Sequence, residues 1–186
     1  MVIRLKAEQL EVEQEIGKIN CKIERDEQLS KSRKRYFKKF DEYLDRASHG
    51  PDWLREERIA SIVADAMHYR DEKEYNLLAY NIMPNHVHIV FDVARFAESR
   101  PSVRDGVSHY IVTDIIGSLK KHTALESNKI LLRDGAFWQH ESYDHVVRNE
   151  AELGRIIEYV LYNPVKAGLV KEWTDWRWSY YKYSIS

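Results

Sequence analysis

The sequence predicts an α+β fold: an antiparallel sheet covered by helices, with a helical extension in front. Three observations predict it. A hairpin lies at the centre of the chain, where strand-like runs from Tyr75 to Ile82 and from His86 to Val93 flank the short turn Met83-Pro84-Asn85. Helical periodicity brackets that hairpin over residues 52–70, 108–126 and 149–163. No repeat, low-complexity tract or interdomain linker interrupts the 186 residues, enough for one domain with a core plus an appendage. Strands interspersed with helices around a hairpin are the pattern of an α+β sandwich.

Taken in order, residues 4–30 are charged, with apolar positions at Leu5, Val12, Ile16, Ile19 and Ile23. The 4-3-4 spacing from Val12 to Ile23 is a short heptad-like seam, read as a helix packed on its own domain or as a dimer contact. Residues 31–40, KSRKRYFKKF, set six basic residues among Tyr36, Phe37 and Phe40. Such a mix either binds phosphates and stacks on bases, or is a solvated helix whose rings face the core. We place the extension at 1–35 and the main domain at 36–186. Ser48-His49-Gly50-Pro51 is a break, after which residues 52–70 turn Leu54, Ile59, Ile62, Val63 and Met67 inward. Residues 94–107 read as a loop and 108–126 as an amphipathic helix bearing Lys120 and Lys121. Gly135 to Trp138 opens a segment rich in aromatics and histidine. Helix 149–163 is expected to stop before Pro164, because a residue ahead of proline resists the α conformation. The aromatic stretch Trp173 to Tyr183 is expected to pack back on the domain.

Composition limits the function classes. A net charge of −1 counts against a protein that coats nucleic acid by charge alone, so any such contact needs local basic patches. The single cysteine, Cys21, excludes an internal disulfide framework and a CxxC metal site, and fits a reducing cytoplasm. The start, MVIRLKAEQLEVEQ, turns acidic at once, unlike a signal peptide. No apolar run nears the roughly 20 residues that a membrane span requires. Twelve tyrosines and five tryptophans supply rings for core packing or for stacking on bases.

Two constellations carry chemistry. In a strand, alternate side chains share a face, so His86, His88 and Val90 point one way and Val87, Ile89 and Phe91 the other. The apolar set faces the covering helices. The histidines then stand roughly 7 Å apart along the strand on the opposite face. Both imidazoles can reach one ion, with a third ligand from elsewhere in the chain; exposed or hydrogen-bonded histidines have the same pattern. In helix 149–163, Leu153, Ile156, Ile157, Val160 and Leu161 form an apolar stripe at about 100° per residue. Tyr159 and Asn163 lie four apart on one flank of it, while Tyr162 points nearly opposite. The phenol can act as a nucleophile and the amide oxygen as a ligand; the pair also suits a boundary tyrosine and a helix-ending asparagine.

Together the segments LLAYNIMPNHVHIVF, GAFWQHESYDHVVRNEAEL, IIEYVLYNPVKAGLV and DWRWSYY resemble the REP-associated tyrosine transposases, single-tyrosine members of the HUH (His-hydrophobic-His) class. The likeness runs from about Tyr36 to Tyr183, and MPNHVH with YxxxNPVKAGLV is specific in combination. It implies a ferredoxin-like (RRM-like) antiparallel sheet with helices on one face. It implies cleavage and rejoining of single-stranded or hairpin DNA at palindromic repeats (REP elements), through a 5′-phosphotyrosine link and a free 3′-hydroxyl. Carried onto this chain, the metal ligands are His86, His88 and Asn163 and the nucleophile is Tyr159. The cofactor is a divalent cation, Mg²⁺ or Mn²⁺, with Mn²⁺ tolerating imidazole better. DNA contacts are expected from Lys120, Lys121, Arg133, Arg148, Lys166, Arg35 and Lys38. The protein is expected in the cytoplasm at the nucleoid, off the membrane, as a monomer or homodimer.

The chain departs from the family at its start. Relatives open on a strand resembling HVTFR; here Val2 to Leu5 is at most a remnant of it before helix begins. The chain also stops soon after DWRWSYY. Two other readings stay open: a decayed or domesticated protein that binds hairpin DNA without cutting, and a metal-dependent hydrolase in which Asp92, on the histidine face by alternation, joins the pair.

Overall fold

A computed structural model of the protein describes residues 2–46, 51–93, 107–139, 142, 145–147 and 149–183. The chain forms two compact units, Met1–Gly50 and Pro51–Ser186.

In the first unit, α1 (Val2–Gly17) and α2 (Lys22–Arg46) pack against each other. Val2 to Leu5, read above as a strand remnant, belong to α1. No turn signal separates them from Ala7, Gln9 and Leu10, and helix formers propagate the helix back through them. The single seam expected through Ile23 is broken. Gly17 ends α1, the turn closes through Lys18 N to Glu15 O and Ile19 N to Ile16 O (both 3.1 Å), and Ile19 falls between the helices. Val12 and Ile23 are 44% and 81% exposed. The helices are tied by Ser32 Oγ donating to Gln9 Oε1 at 3.2 Å. The junction drawn at 35/36 falls inside α2.

The second unit is α+β. A 3₁₀ turn (Trp53–Arg55) leads to α3 (Glu57–Arg70), β1 (Asn76–Ile82), β2 (Val87–Asp92) and α4 (Val107–Ile130). Then follow α5 (Glu150–Leu161), the four-residue α6 (Asn163–Lys166), a second 3₁₀ turn (Trp173–Asp175) and β3 (Ser179–Tyr181). The three strands run antiparallel in the order β2-β1-β3. The aromatic C-terminal stretch therefore supplies a strand as well as packing. It is fastened to β1 by Ile82 N to Trp178 O (3.0 Å) and by Trp176 Nε1 to Ile82 O (3.0 Å). Of residues 94–107, read as a loop, all but Val107 lie outside the described residues, and Val107 opens α4.

The hairpin turn is set by Pro84, whose fixed φ suits the second position of a β-turn, and closes through Met83 N to His86 O at 2.9 Å. Strand alternation holds: Val87, Ile89 and Phe91 join Leu77, Tyr80 and Ile82 against α3 and α4, with Ile59, Val63, Met67, Ile111 and Ile115. The other face is covered too, by α5, whose Leu153, Ile156, Ile157 and Val160 pack on Leu78, Ala79 and Val90. A register irregularity between Leu77 and Ala79 lets the consecutive residues Leu78 and Ala79 both serve this second cluster.

Candidate metal centre and tyrosine helix

The turn delivers His86 to the mouth of the hairpin and β2 carries His88 on the α5 side. His86 is only 8% exposed. Its Nδ1 meets Asn85 Oδ1 at 2.7 Å. That oxygen can only accept, so Nδ1 carries the ring proton and Nε2 presents a lone pair. His86 Nε2 lies 3.2 Å from His88 Nε2, with the rings nearly perpendicular at 84°.

Asn163 comes in from just beyond the tyrosine helix. Asn149 caps α5 by accepting from Glu152 N at 2.9 Å, and Glu150 and Glu152 complement the helix N-terminus. The helix was expected to run to 163; α5 instead ends at Leu161, and α6 starts at Asn163 with Pro164 in its first turn. Proline lacks the N–H that helix continuation needs, yet its φ suits a fresh first turn. Asn163 is fully buried, and its Nδ2 lies 3.1 Å from His88 Nε2. The amide can only donate there, so His88 Nε2 is also an acceptor in this arrangement.

Two acceptor nitrogens 3.2 Å apart repel unless a proton or a cation serves both. Donors held about 2.1 Å from one ion are separated by about 3.0 Å at right angles and about 3.4 Å at the tetrahedral angle. The observed spacing lies between, and turning the Asn163 amide over presents Oδ1 where Nδ2 now stands. These residues therefore fit a divalent cation. Among the described residues no three His, Cys, Asp or Glu side chains are arranged to hold a metal, so Asp92 does not join the histidines.

Tyr159 is half-buried beside this group: its ring stands edge-on to His88 with centroids 6.1 Å apart at 80°. On its face sits Lys166 Nζ, 3.6 Å from the ring centre. Tyr162 is 40% exposed and points to solvent, as its helical position requires.

Lys121 and Arg35 are exposed, Arg35 on α2 of the first unit. Lys120 Nζ donates to Gln139 O at 2.9 Å. Arg133 is engaged within the protein, donating to Asn128 Oδ1 on α4 (2.9 Å) and to Ala136 O (3.3 Å) with its guanidinium 4.1 Å from the Trp53 ring centre. Arg148 and the Lys38 side chain lie outside the described residues.

Sequence reasoning missed two asparagines. Asn85 orients His86, and its proximity in sequence was the available signal. Asn81, a lone amide in the apolar run LLAYNI, is the β1 partner of His88.

No family model matches the chain, and no solved structure matches it. The chain is similar to a curated protein of Haemophilus influenzae named REP-associated tyrosine transposase, 26% identical over 106 residues. The match covers 56% of this chain and 58% of that protein's length. It agrees with the resemblance carried by the motifs.

Proposed function

We propose that the chain is a metal-dependent transposase that cuts and rejoins single-stranded or hairpin DNA at palindromic repeats. Tyr159 is the nucleophile, and His86, His88 and Asn163 hold a divalent cation, Mg²⁺ or Mn²⁺. One observation carries the reading. Two buried-side imidazole nitrogens 3.2 Å apart, an amide 3.1 Å from one of them and a tyrosine ring against the same histidine meet on one sheet face. The relative's name supports DNA as the substrate.

A phosphodiester is an anion that repels nucleophiles; a bound divalent cation neutralises charge developing on its oxygens. The chain's own residues do the rest. His88 and Lys166 hold the Tyr159 ring on its edge and its face, limiting the directions in which the phenol oxygen can point. The Tyr159 oxygen forms a bond to phosphorus as it loses its proton, the bond from phosphorus to O3′ breaks, and the 3′-oxygen leaves as a hydroxyl after taking up a proton. The 5′-phosphate stays on Tyr159. The phosphotyrosine ester keeps the bond energy, so attack by another 3′-hydroxyl rejoins DNA without ATP. The exposed Lys121 and Arg35 are suited to phosphate contacts.

The test is incubation with end-labelled hairpin single-stranded DNA and Mn²⁺, resolved on a denaturing gel. A labelled species at protein mass is expected from wild type, and none from Tyr159→Phe or after chelation. Retained hairpin binding without any adduct would instead support a non-cutting hairpin-binding protein.

A further inference from the structure

On the histidine face the strand register sets a polar row across the sheet: His88 on β2 faces Asn81 on β1, and Asn81 faces Ser179 on β3. Cross-strand neighbours of this kind hold their Cβ atoms about 4.5–5.5 Å apart. Asn81 is 0% exposed. Its Nδ2 donates to Ser179 Oγ at 2.8 Å. Its Oδ1 is buried and accepts no hydrogen bond from any described residue. Turning the amide over does not help, since Ser179 would then donate to Oδ1 and the NH₂ group would be stranded. The preceding β1 residue on the same face, Ala79, is apolar and just as buried, so the strand itself has no need of an amide here. A buried carbonyl oxygen without a donor is costly, and such groups concentrate where function supplies the partner.

We propose that Asn81 is a further member of the metal centre: its Oδ1 accepts a hydrogen bond from a water carried by the divalent cation at His86, His88 and Asn163. This rests on the reading of those residues as ligands. Asn81 is a positioning residue, acting on the ion through that water and held in line by Ser179. Outer partners of this kind tune affinity by fixing what the ligands and waters can do.

The experiment is calorimetric titration of the full chain with Mn²⁺ alone, together with its melting temperature without metal. Wild type is expected to bind one Mn²⁺, and His86→Ala to remove the binding. Asn81→Leu and Asn81→Val are expected to bind roughly ten- to a hundredfold more weakly. Their metal-free melting temperatures should hold or rise, because the stranded oxygen is gone. Asn81→Asp, which keeps an acceptor and adds charge, is expected to bind at least as tightly as wild type. Wild-type affinity in Asn81→Leu or Asn81→Val, with His86→Ala still defective, overturns this proposal and leaves the ligand reading standing. A melting temperature lowered in step with an unchanged affinity assigns Asn81 to fastening β3 alone. No Mn²⁺ binding by wild type overturns both.

Discussion

The two faces of the sheet are built from the same strands and differ in what they bury. Under α3 and α4 the strands present Leu77, Tyr80, Ile82, Val87, Ile89, Phe91 and Tyr180, a surface whose side-chain polar atoms are confined to two tyrosine hydroxyls. Under α5 they present Leu78, Ala79 and Val90, then His88, Asn81 and Ser179 in the next row toward the hairpin turn. Polar groups are expensive to bury, so their concentration in one row beside Asn163 and Tyr159 is where the fold gives up apolar packing, the place a working site would need. The first face holds the unit together; the second holds it together at one end and carries the proposed site at the other.

Substitutions on the two faces should therefore separate stability from activity. The largest contrast is between Leu77→Ala and His88→Ala. Leu77 is fully buried, and its truncation should cost about 2–5 kcal/mol by chemical denaturation while a folded remainder still forms adduct. His88→Ala should abolish metal-dependent adduct formation with a much smaller change in denaturation midpoint. Equal stability losses at both positions would erase the distinction between the faces.

A smaller effect is expected at Lys166. Lys166→Met keeps the aliphatic stem over the Tyr159 ring and removes the charge 3.6 Å from its centre. Single-turnover adduct formation should slow about tenfold, equivalent to about 1.4 kcal/mol, with hairpin affinity unchanged. Weaker binding with a shallower salt dependence and an unaltered rate would return Lys166 to the phosphate contact expected from sequence.

The smallest effect lies on the apolar face. Burial pushes the Tyr80 hydroxyl from 10.0 up to about 12, with Tyr180 and Asp65 adding to the rise. Its hydroxyl lies 3.3 Å from His68 Nε2. Between those pH values the folded chain keeps a proton that the unfolded chain has lost. The stability held below pH 10 therefore drains away as pH rises toward 12. Tyr80→Phe should flatten alkaline unfolding in that window; an unchanged profile would assign the loss elsewhere, with Tyr75, raised by burial in the same way, the next to test.

Much of this contrast was legible in the sequence. Period-two alternation assigned His86 and His88 to one face and Val87, Ile89 and Phe91 to the other, and helical spacing put Tyr159 beside the apolar stripe and Tyr162 toward solvent. Those inferences succeed because strand and helix periods are enforced by backbone geometry. What escaped depends on long-range pairing or on one local break. β3 is three residues long and has too little alternation to declare itself; it exists because β1 offers an edge to it. The division of the tyrosine helix before Pro164 resets the path of Asn163 while keeping it near His88. The turn at Gly17 ended a seam that spacing alone carried onward. Asn81 gave a signal, an amide in an apolar run, whose meaning needed the register that pairs it with His88 and Ser179.

The central claim is that Tyr159 takes the phosphate. Digesting the covalent adduct with trypsin should yield the peptide IIEYVLYNPVK, which follows Arg155 and ends at Lys166. Fragment masses from that peptide should carry the nucleotide phosphate on Tyr159. The same mass on Tyr162, on any other residue, or on no peptide at all would contradict the account.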